Sequence, residues 1–186
     1  MAIAITNWPL TLEQFLALPE AEPPLEYGPD GVVAQKMSPT TEHAFIQVRL
    51  SARLLACAES SGRGEVFTEL RYTGRDRSKV PDVAYYARER LPRAPGGGWL
   101  RYPKEAPDLA AEILSPDQSA RSEAATCRWY LAEGTRLALL VEPVARRVTA
   151  FTSSFETVLR GADRLPLDGV LPGCKITVED LFPSLD

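Results

Sequence analysis

The sequence lacks any apolar run close to the roughly 20 residues that a membrane-spanning helix needs. Its first residues, MAIAITNWPLTLEQF, have no basic stretch followed by a long apolar stretch, so we expect no secretory signal. The three cysteines, Cys57, Cys127 and Cys174, lie far apart and form no CxxC pair. We therefore expect neither a disulfide framework nor a zinc site, and we predict a protein of the reducing cytoplasm that does not contact membranes.

The sequence also has little histidine and a small net charge. His43 is the single histidine, and the net charge of the 186 residues is only −4. A chain of this length, with 45% hydrophobic and 25% charged residues, fits one globular domain. Because no linker or internal repeat divides it, we assign residues 1–186 to a single domain, with residues 1–9 as an N-terminal extension.

Positive charge is concentrated in one segment. Nine basic and three acidic residues stand between Arg71 and Lys104, which gives this segment a charge of +6 and leaves −10 for the remainder. Such a cluster can attract phosphates, or it can be a solvated arginine-rich surface. Within the segment, RERLPRAPGGGWLRYPKEAP has four prolines and three consecutive glycines, which predict a loop.

Hydrophobic periodicity predicts a mixed α/β architecture. The expected helices are TLEQFLALPE, SPTTEHAFIQVRLSARLLACAESSGRG, SARSEAATCRWYLAEG and a short terminal VEDLF. The expected strands are VVAQKM, EVFTELRYTG, VPDVAYYA, DLAAEIL, RLALLVEP, RRVTAFT and FETVLR. In the long helix, Ile46, Leu50 and Leu54 share one face, which Val48 and Leu55 are expected to broaden.

One acidic residue falls inside an apolar strand. Alternation in DLAAEIL puts Glu112 on the same face as Ala110 and Leu114. A buried carboxylate is costly unless it is protonated, paired with arginine, or holding a metal with a second carboxylate. Asp82, in VPDVAYY, is the natural second ligand if its strand lies beside that of Glu112, and such oxygen ligands suit Mg²⁺ or Mn²⁺. Glu26, before the GPDG turn, is a third candidate acid.

Seven stretches follow one another in an order that resembles a known family. They are TLEQFLALPE, LEY…DG, SPTTEHAFI, VPDVAYY, DLAAEILSP, YLAEGT and LALLVEP, and the resemblance covers nearly the whole chain, from Leu10 to Phe182. The order resembles that of Uma2 proteins, the DUF820 group of restriction endonuclease-like proteins in the PD-(D/E)XK nuclease superfamily. The resemblance implies the restriction endonuclease-like PD-(D/E)XK fold, an α/β fold with a central mixed β-sheet flanked by helices. It also implies a metal-dependent endonuclease that hydrolyses phosphodiester bonds in DNA.

The resemblance also implies roles for individual residues. Asp82 matches the PD aspartate and Glu112 matches the acid of the (D/E)XK position, and both would hold Mg²⁺ or Mn²⁺ with the carbonyl of Ile113. Glu26 matches the glutamate near the N-terminal turn. His43 matches a histidine at the start of the long helix, where it could be a base, a metal neighbour or a helix-start residue. The implied reaction is metal-assisted phosphodiester hydrolysis, without a small-molecule cofactor.

The basic residue of the motif is not at its usual position. Leu114 lies two residues after Glu112, where the simplest pattern of the superfamily has lysine. Thr126 lies four residues before Tyr130, where Uma2-like proteins usually have lysine. The candidate substitutes are Arg121, Arg128 and Lys36.

Three hypotheses therefore stand side by side. The first is a DNA endonuclease whose catalytic candidates are Glu26, His43, Asp82, Glu112 and Arg121. The second is a nuclease-fold module that binds nucleic acid or a protein partner without turnover. The third gives Glu112 a structural role, with Arg71 or another arginine as its partner. A homodimer is also compatible with the fold, and the ALLV stretch, Trp8 and Trp99 are candidates for its interface.

Overall fold

The computed structural model describes residues 8–183, so most of the predicted N-terminal extension, residues 1–9, lies outside the described residues. In this range the α-helices are α1 (Leu12–Leu16), α2 (Thr41–Ser61) and α3 (Ala120–Ala132). The strands are β1 (Leu25–Tyr27), β2 (Val33–Gln35), β3 (Gly64–Thr68), β4 (Tyr72–Thr73), β5 (Ser78–Lys79), β6 (Val83–Ala87), β7 (Leu109–Ile113), β8 (Leu137–Glu142), β9 (Arg147–Phe151) and β10 (Glu156–Arg160). Short 3-10 helices cover Arg88–Arg90, Leu167–Gly169 and Glu179–Leu181. No helix between residues 8 and 183 has the length and apolar character to cross a membrane.

Polar side chains cap the helices. Thr11 and Gln14 form a reciprocal capping box at the start of α1, in which each side chain accepts a hydrogen bond from the other residue's backbone N–H. Thr40 caps α2, and Gly62 ends that helix in the left-handed conformation at φ 63°, which costs a glycine little. The predicted terminal helix VEDLF is only the 3-10 turn Glu179–Leu181.

A six-stranded sheet forms the centre of the fold. Its order is β10-β9-β8-β7-β6-β3, and only β7 and β8 are parallel, with α3 as the crossover between them. The sheet is therefore mixed and flanked by helices, as expected. Because β8 lies inside this sheet and is buried along its whole length, its ALLV stretch cannot form a dimer interface. The small sheet β2-β1-β5-β4 lies outside the central one.

The two faces of β7 contribute to two different cores. Leu109, Ala111 and Ile113 pack in the core that contains the buried face of α2. Ala110, on the other face, packs with Tyr130 and other residues of α3. Glu112 alternates with Ala111 and Ile113, so its side chain lies on the α3 face of the sheet, as the strand pattern predicts.

Two expectations about the long helix are wrong. Val48 is 69% exposed and Leu55 37% exposed, so they do not broaden the core-facing stripe.

The expectation that the cysteines form no disulfide is also wrong. Cys57, on α2, forms a disulfide with Cys174 across 117 residues of sequence, whereas Cys127 is free and buried. The C-terminal segment packs against α2, which brings the two distant cysteines together. The cysteine pattern therefore gives no argument for a reducing compartment.

Candidate active site

The register of two neighbouring strands brings Asp82 and Glu112 together. Asp82 directly precedes β6, which pairs antiparallel with β7 so that Val83 stands opposite Ala111. One step further along, Asp82 stands beside Glu112. The backbone N–H of Ile113 donates a 2.6 Å hydrogen bond to Asp82 Oδ2 and fixes this carboxylate against β7. Asp82 is 1% exposed and Glu112 8% exposed.

A lysine and the single histidine contact the other oxygen of Asp82. Lys36, which directly follows β2, places Nζ 2.7 Å from Asp82 Oδ1 and 2.7 Å from Glu69 Oε2. His43, in the first turn of α2, places Nε2 3.2 Å from Asp82 Oδ1. Its Nδ1 lies 3.3 Å from the hydroxyl of Ser115. Of the three candidate substitutes for the motif lysine, Lys36 is thus the one that contacts Asp82.

The surroundings lower the pKa of Asp82 and raise the pKa of Glu112. Burial alone would raise the pKa of Asp82, but the nearby His43 and Lys36 outweigh it and lower this pKa below its ordinary value. Burial and the charge of Asp82 raise the pKa of Glu112 well above its ordinary value, against the opposing effect of Lys36. Glu112 accepts a 2.8 Å hydrogen bond from the hydroxyl of Tyr130, not from an arginine. The pair therefore favours one ionised and one neutral carboxyl group.

Asp82, Glu112, Lys36 and His43 line a cleft of about 360 Å³. Three further charged residues, Glu26, Lys79 and Glu123, line the same cleft. Glu26 Oε2 lies 2.7 Å from Lys79 Nζ, and Glu26 Oε1 accepts a 2.9 Å hydrogen bond from the N–H of Val80. Glu123, in the first turn of α3, lines the same cleft. Burial raises the pKa of Glu123 to about 7, with Lys79 opposing and Glu26 reinforcing this shift.

Sequence reasoning missed Lys79 and Glu123. Lys79 stands three residues before Asp82 and was counted only as part of the basic segment, although a lysine this close to a candidate acid is itself a signal. Glu123 in the first turn of a helix is ordinary helix-dipole chemistry. Its position in the cleft depends on how α3 crosses the sheet, which the sequence pattern does not show.

The donor set is compatible with a hard divalent cation. Asp82 Oδ1 is buried and has no partner in hydrogen-bond geometry, although Lys36 and His43 lie within ion-pair distance. Glu112 adds a second carboxylate beside it. No group of three or more His, Cys, Asp or Glu side chains in the described part of the chain is arranged to hold a metal. Mg²⁺ often takes only one or two carboxylates and completes its shell with water and substrate phosphate, so two acids suffice.

The remaining candidate residues lie elsewhere. Arg121 is exposed in the first turn of α3 and is not among the residues that line the cleft. Arg128 pairs with Glu156 at 2.8 Å. Arg71 donates to Ser78 and to the carbonyl of Leu25, so it is not the partner of Glu112.

The comparisons with known proteins agree with this geometry. The model of the Uma2 family, described as putative restriction endonuclease, matches residues 12–179. The crystal structure of a putative nuclease belonging to DUF820, from Anabaena variabilis ATCC 29413, superposes with a TM-score of 0.88 at 31% identity. The match covers 94% of this chain and 98% of that one. No curated protein matches the chain. From the family match over nearly its whole length and from its fold, the chain belongs to the Uma2 family of restriction endonuclease-like proteins.

Proposed function

We propose that the protein is a metal-dependent endonuclease that hydrolyses phosphodiester bonds of DNA in the cleft around Asp82 and Glu112. One observation carries the proposal. Two buried carboxylates from neighbouring strands meet in a cleft of about 360 Å³, with the ammonium group of Lys36 2.7 Å from one of them. Carboxylates whose pKa values are shifted in opposite directions, beside a lysine and in a cleft, are typical of catalytic sites.

Asp82 and Glu112 are the residues that would hold Mg²⁺ or Mn²⁺. A divalent cation supplies Lewis-acid polarisation of the phosphate and lowers the pKa of a bound water. Asp82 is prepared for this role because its pKa is lowered and its Oδ2 is fixed by the N–H of Ile113. Burial disfavours the ionised form of Glu112, so additional positive charge favours its ionisation, and its ionisation and cation binding favour each other.

Lys36 takes the part of the motif lysine in this proposal. Burial would lower its pKa, but the charges of Asp82, Glu112 and Glu69 outweigh that effect and raise the pKa above its ordinary value. The ammonium group therefore stays charged and can stabilise the negative charge that develops on the phosphate. His43 lies between Ser115 and Asp82, and these contacts support a role in positioning the aspartate.

A plasmid-nicking assay with Mg²⁺ or Mn²⁺ tests the proposal. The wild-type protein is expected to convert supercoiled DNA into nicked or linear forms, and Asp82→Ala is expected to abolish this conversion. Arg121→Ala is the matched control, because this residue is charged and exposed but lies outside the cleft. Cleavage that persists in Asp82→Ala contradicts the assignment.

A second candidate function is a nuclease-fold module that binds DNA or a protein without turnover. It is favoured by the ion pair between Lys36 and Asp82, which balances the charge of the aspartate without a metal. Mn²⁺ binding without cleavage of any tested DNA would support this alternative, whereas Mn²⁺-dependent cleavage lost in Asp82→Ala would exclude it.

A further inference from the structure

Two exposed aromatic rings lie on the loop of residues 91–104. Trp99 is 50% exposed and Tyr102 39% exposed. Each ring lies beside an arginine of the same loop, with the guanidinium carbon of Arg93 3.9 Å from the centroid of Trp99 and that of Arg101 5.6 Å from the centroid of Tyr102. We call these four residues the aromatic–arginine platform. Exposed aromatic rings that lie beside arginine are the composition that binds unpaired bases in single-stranded nucleic acid.

The first half of the platform lies along the edge strand near the candidate active site. Trp99 makes an edge-to-face contact with Phe67 of β3, with ring centroids 5.5 Å apart at 84°. Phe67 stands opposite Ala84 in the sheet, and Ala84 is only two residues from Asp82. Trp99 is therefore packed on the edge strand β3, against a residue whose partner in β6 lies two residues from Asp82.

The second half of the platform borders a pocket that adjoins the cleft. Tyr102 lines a pocket of about 280 Å³ together with Glu69 and Val80. Lys36 forms an ion pair with Glu69 and donates a hydrogen bond to the carbonyl of Val80, and Lys36 also lines the cleft. The pocket and the cleft thus adjoin at the side chain of Lys36, which lines the cleft and contacts two residues of the pocket.

The same pocket contains a cation without a carboxylate partner. Arg71 lines it and forms no ion pair within residues 8–183. Its guanidinium donates to Ser78 and to the carbonyl of Leu25, and it lies 5.4 Å from the ring centroid of Phe15. Burial lowers the pKa of Arg71 despite the partial compensation by Tyr102 and Glu26. Because Glu20, Glu22 and Glu69 line the same pocket, the guanidinium group offsets only part of the negative charge around it.

The platform is tied to the wall of this pocket. Glu20, which follows α1 and also lines the pocket, accepts hydrogen bonds from Arg101 and from the hydroxyl of Tyr102, both at 2.5 Å. The loop therefore has a defined position next to the cleft.

We propose that the platform and the adjoining pocket bind an unpaired segment of the DNA strand and lead it into the cleft around Asp82. This inference rests on the proposed nuclease function for its choice of DNA. Bases stack on the Trp99–Arg93 and Tyr102–Arg101 pairs. A duplex hides its base faces within the helix, so the platform favours single strands, flaps or splayed ends over fully paired DNA.

Fluorescence anisotropy with a labelled 20-nucleotide single strand and the matching duplex tests the inference. The measurement uses the full chain in Ca²⁺ or EDTA buffer, so that it does not depend on cleavage. We expect the single strand to bind more tightly than the duplex. Trp99→Ala is expected to weaken single-strand binding at least about fivefold, and Trp99→Phe is expected to retain most of it because a ring remains. Phe155→Ala is the matched control, since Phe155 is a 46% exposed aromatic residue in the turn before β10, at the opposite end of the sheet.

The outcomes separate this inference from the proposed function. Equal binding of single strand and duplex, or equal losses in Trp99→Ala and Phe155→Ala, overturns the platform even if the protein cleaves plasmid DNA. Tighter single-strand binding that depends on Trp99 supports the platform even if no metal condition gives cleavage. Thermal melting of each variant checks that it is folded.

Discussion

Replacing Glu112 by glutamine is expected to stabilise the metal-free protein at neutral pH. The carboxyl group of Glu112 is almost completely buried beside Asp82, and both effects raise its pKa well above the ordinary value of 4.5. Glutamine keeps the acceptor for the hydroxyl of Tyr130, which lies 2.8 Å from Glu112 Oε1, and removes the acidic proton. The substitution therefore isolates the cost of ionising a carboxyl group at this position.

The sign of the effect follows from proton linkage. Between the unfolded and folded pKa values of Glu112 the native state binds more protons than the unfolded state, so the free energy of unfolding falls as pH rises. One such group contributes a slope of at most about 1.4 kcal/mol per pH unit. Glu112 thus stabilises fully below about pH 4.5 and loses this contribution as pH rises towards its folded pKa. Asp82, whose pKa is lowered, acts in the opposite direction below its ordinary value of 3.8.

Urea unfolding of the wild type and Glu112→Gln in EDTA, from pH 5 to pH 8, measures the difference. The stability advantage of the variant is expected to grow with pH. Glu142→Gln is the control, because Glu142 is also buried but accepts hydrogen bonds at 2.5 and 2.7 Å from Arg147, so its loss should destabilise. A stability difference between Glu112→Gln and the wild type that does not change with pH would refute the reasoning.

Two further predictions concern Lys36 and the cysteines. Lys36→Met is expected to slow DNA cleavage by about 10²–10³-fold. Because it removes the ammonium group of the ion pair with the buried Asp82, it is also expected to destabilise the fold by about 3–5 kcal/mol. Cleavage rates and urea unfolding measure the two effects, and an unchanged rate would remove Lys36 from the proposed chemistry. The disulfide between Cys57 and Cys174 predicts that the non-reduced, denatured protein exposes one thiol and the reduced protein three. Mass spectrometry after alkylation counts them, and three thiols without reductant would contradict the disulfide.

The sequence predicted those parts of the fold that depend on local pattern. The alternation in β7 correctly put Glu112 on the opposite face from Ala111 and Ile113, because strand period alone determines the face. The long helix lies within the stretch SPTTEHAFIQVRLSARLLACAESSGRG that hydrophobic periodicity predicted. The exposure of Val48 and Leu55 was not predictable, since a stripe on a helix does not reveal how wide a surface the sheet covers.

Contacts between distant parts of the chain were harder to predict from the sequence. Lys36 was one of three candidate basic residues, and only the pairing of the small sheet decides that it reaches Asp82. The disulfide links positions 117 residues apart, and an isolated pair of cysteines carries no spacing signal at that distance. The contact between Arg93 and Trp99 depends on the path of a glycine-rich loop, which composition identifies but does not trace.

The central claim is that Asp82 and Glu112 share a divalent cation, and calorimetric titration with Mn²⁺ at pH 7 tests it most directly. Titrations in buffers with different heats of ionisation give the number of protons released on binding. We expect one binding site per chain that is lost in Asp82→Asn. We also expect the release of up to about one proton by the wild type and of less by Glu112→Gln, because the buried carboxyl group must ionise to hold the metal. Mn²⁺ binding that is unchanged in Asp82→Asn, or proton release that is the same in Glu112→Gln, would contradict the account.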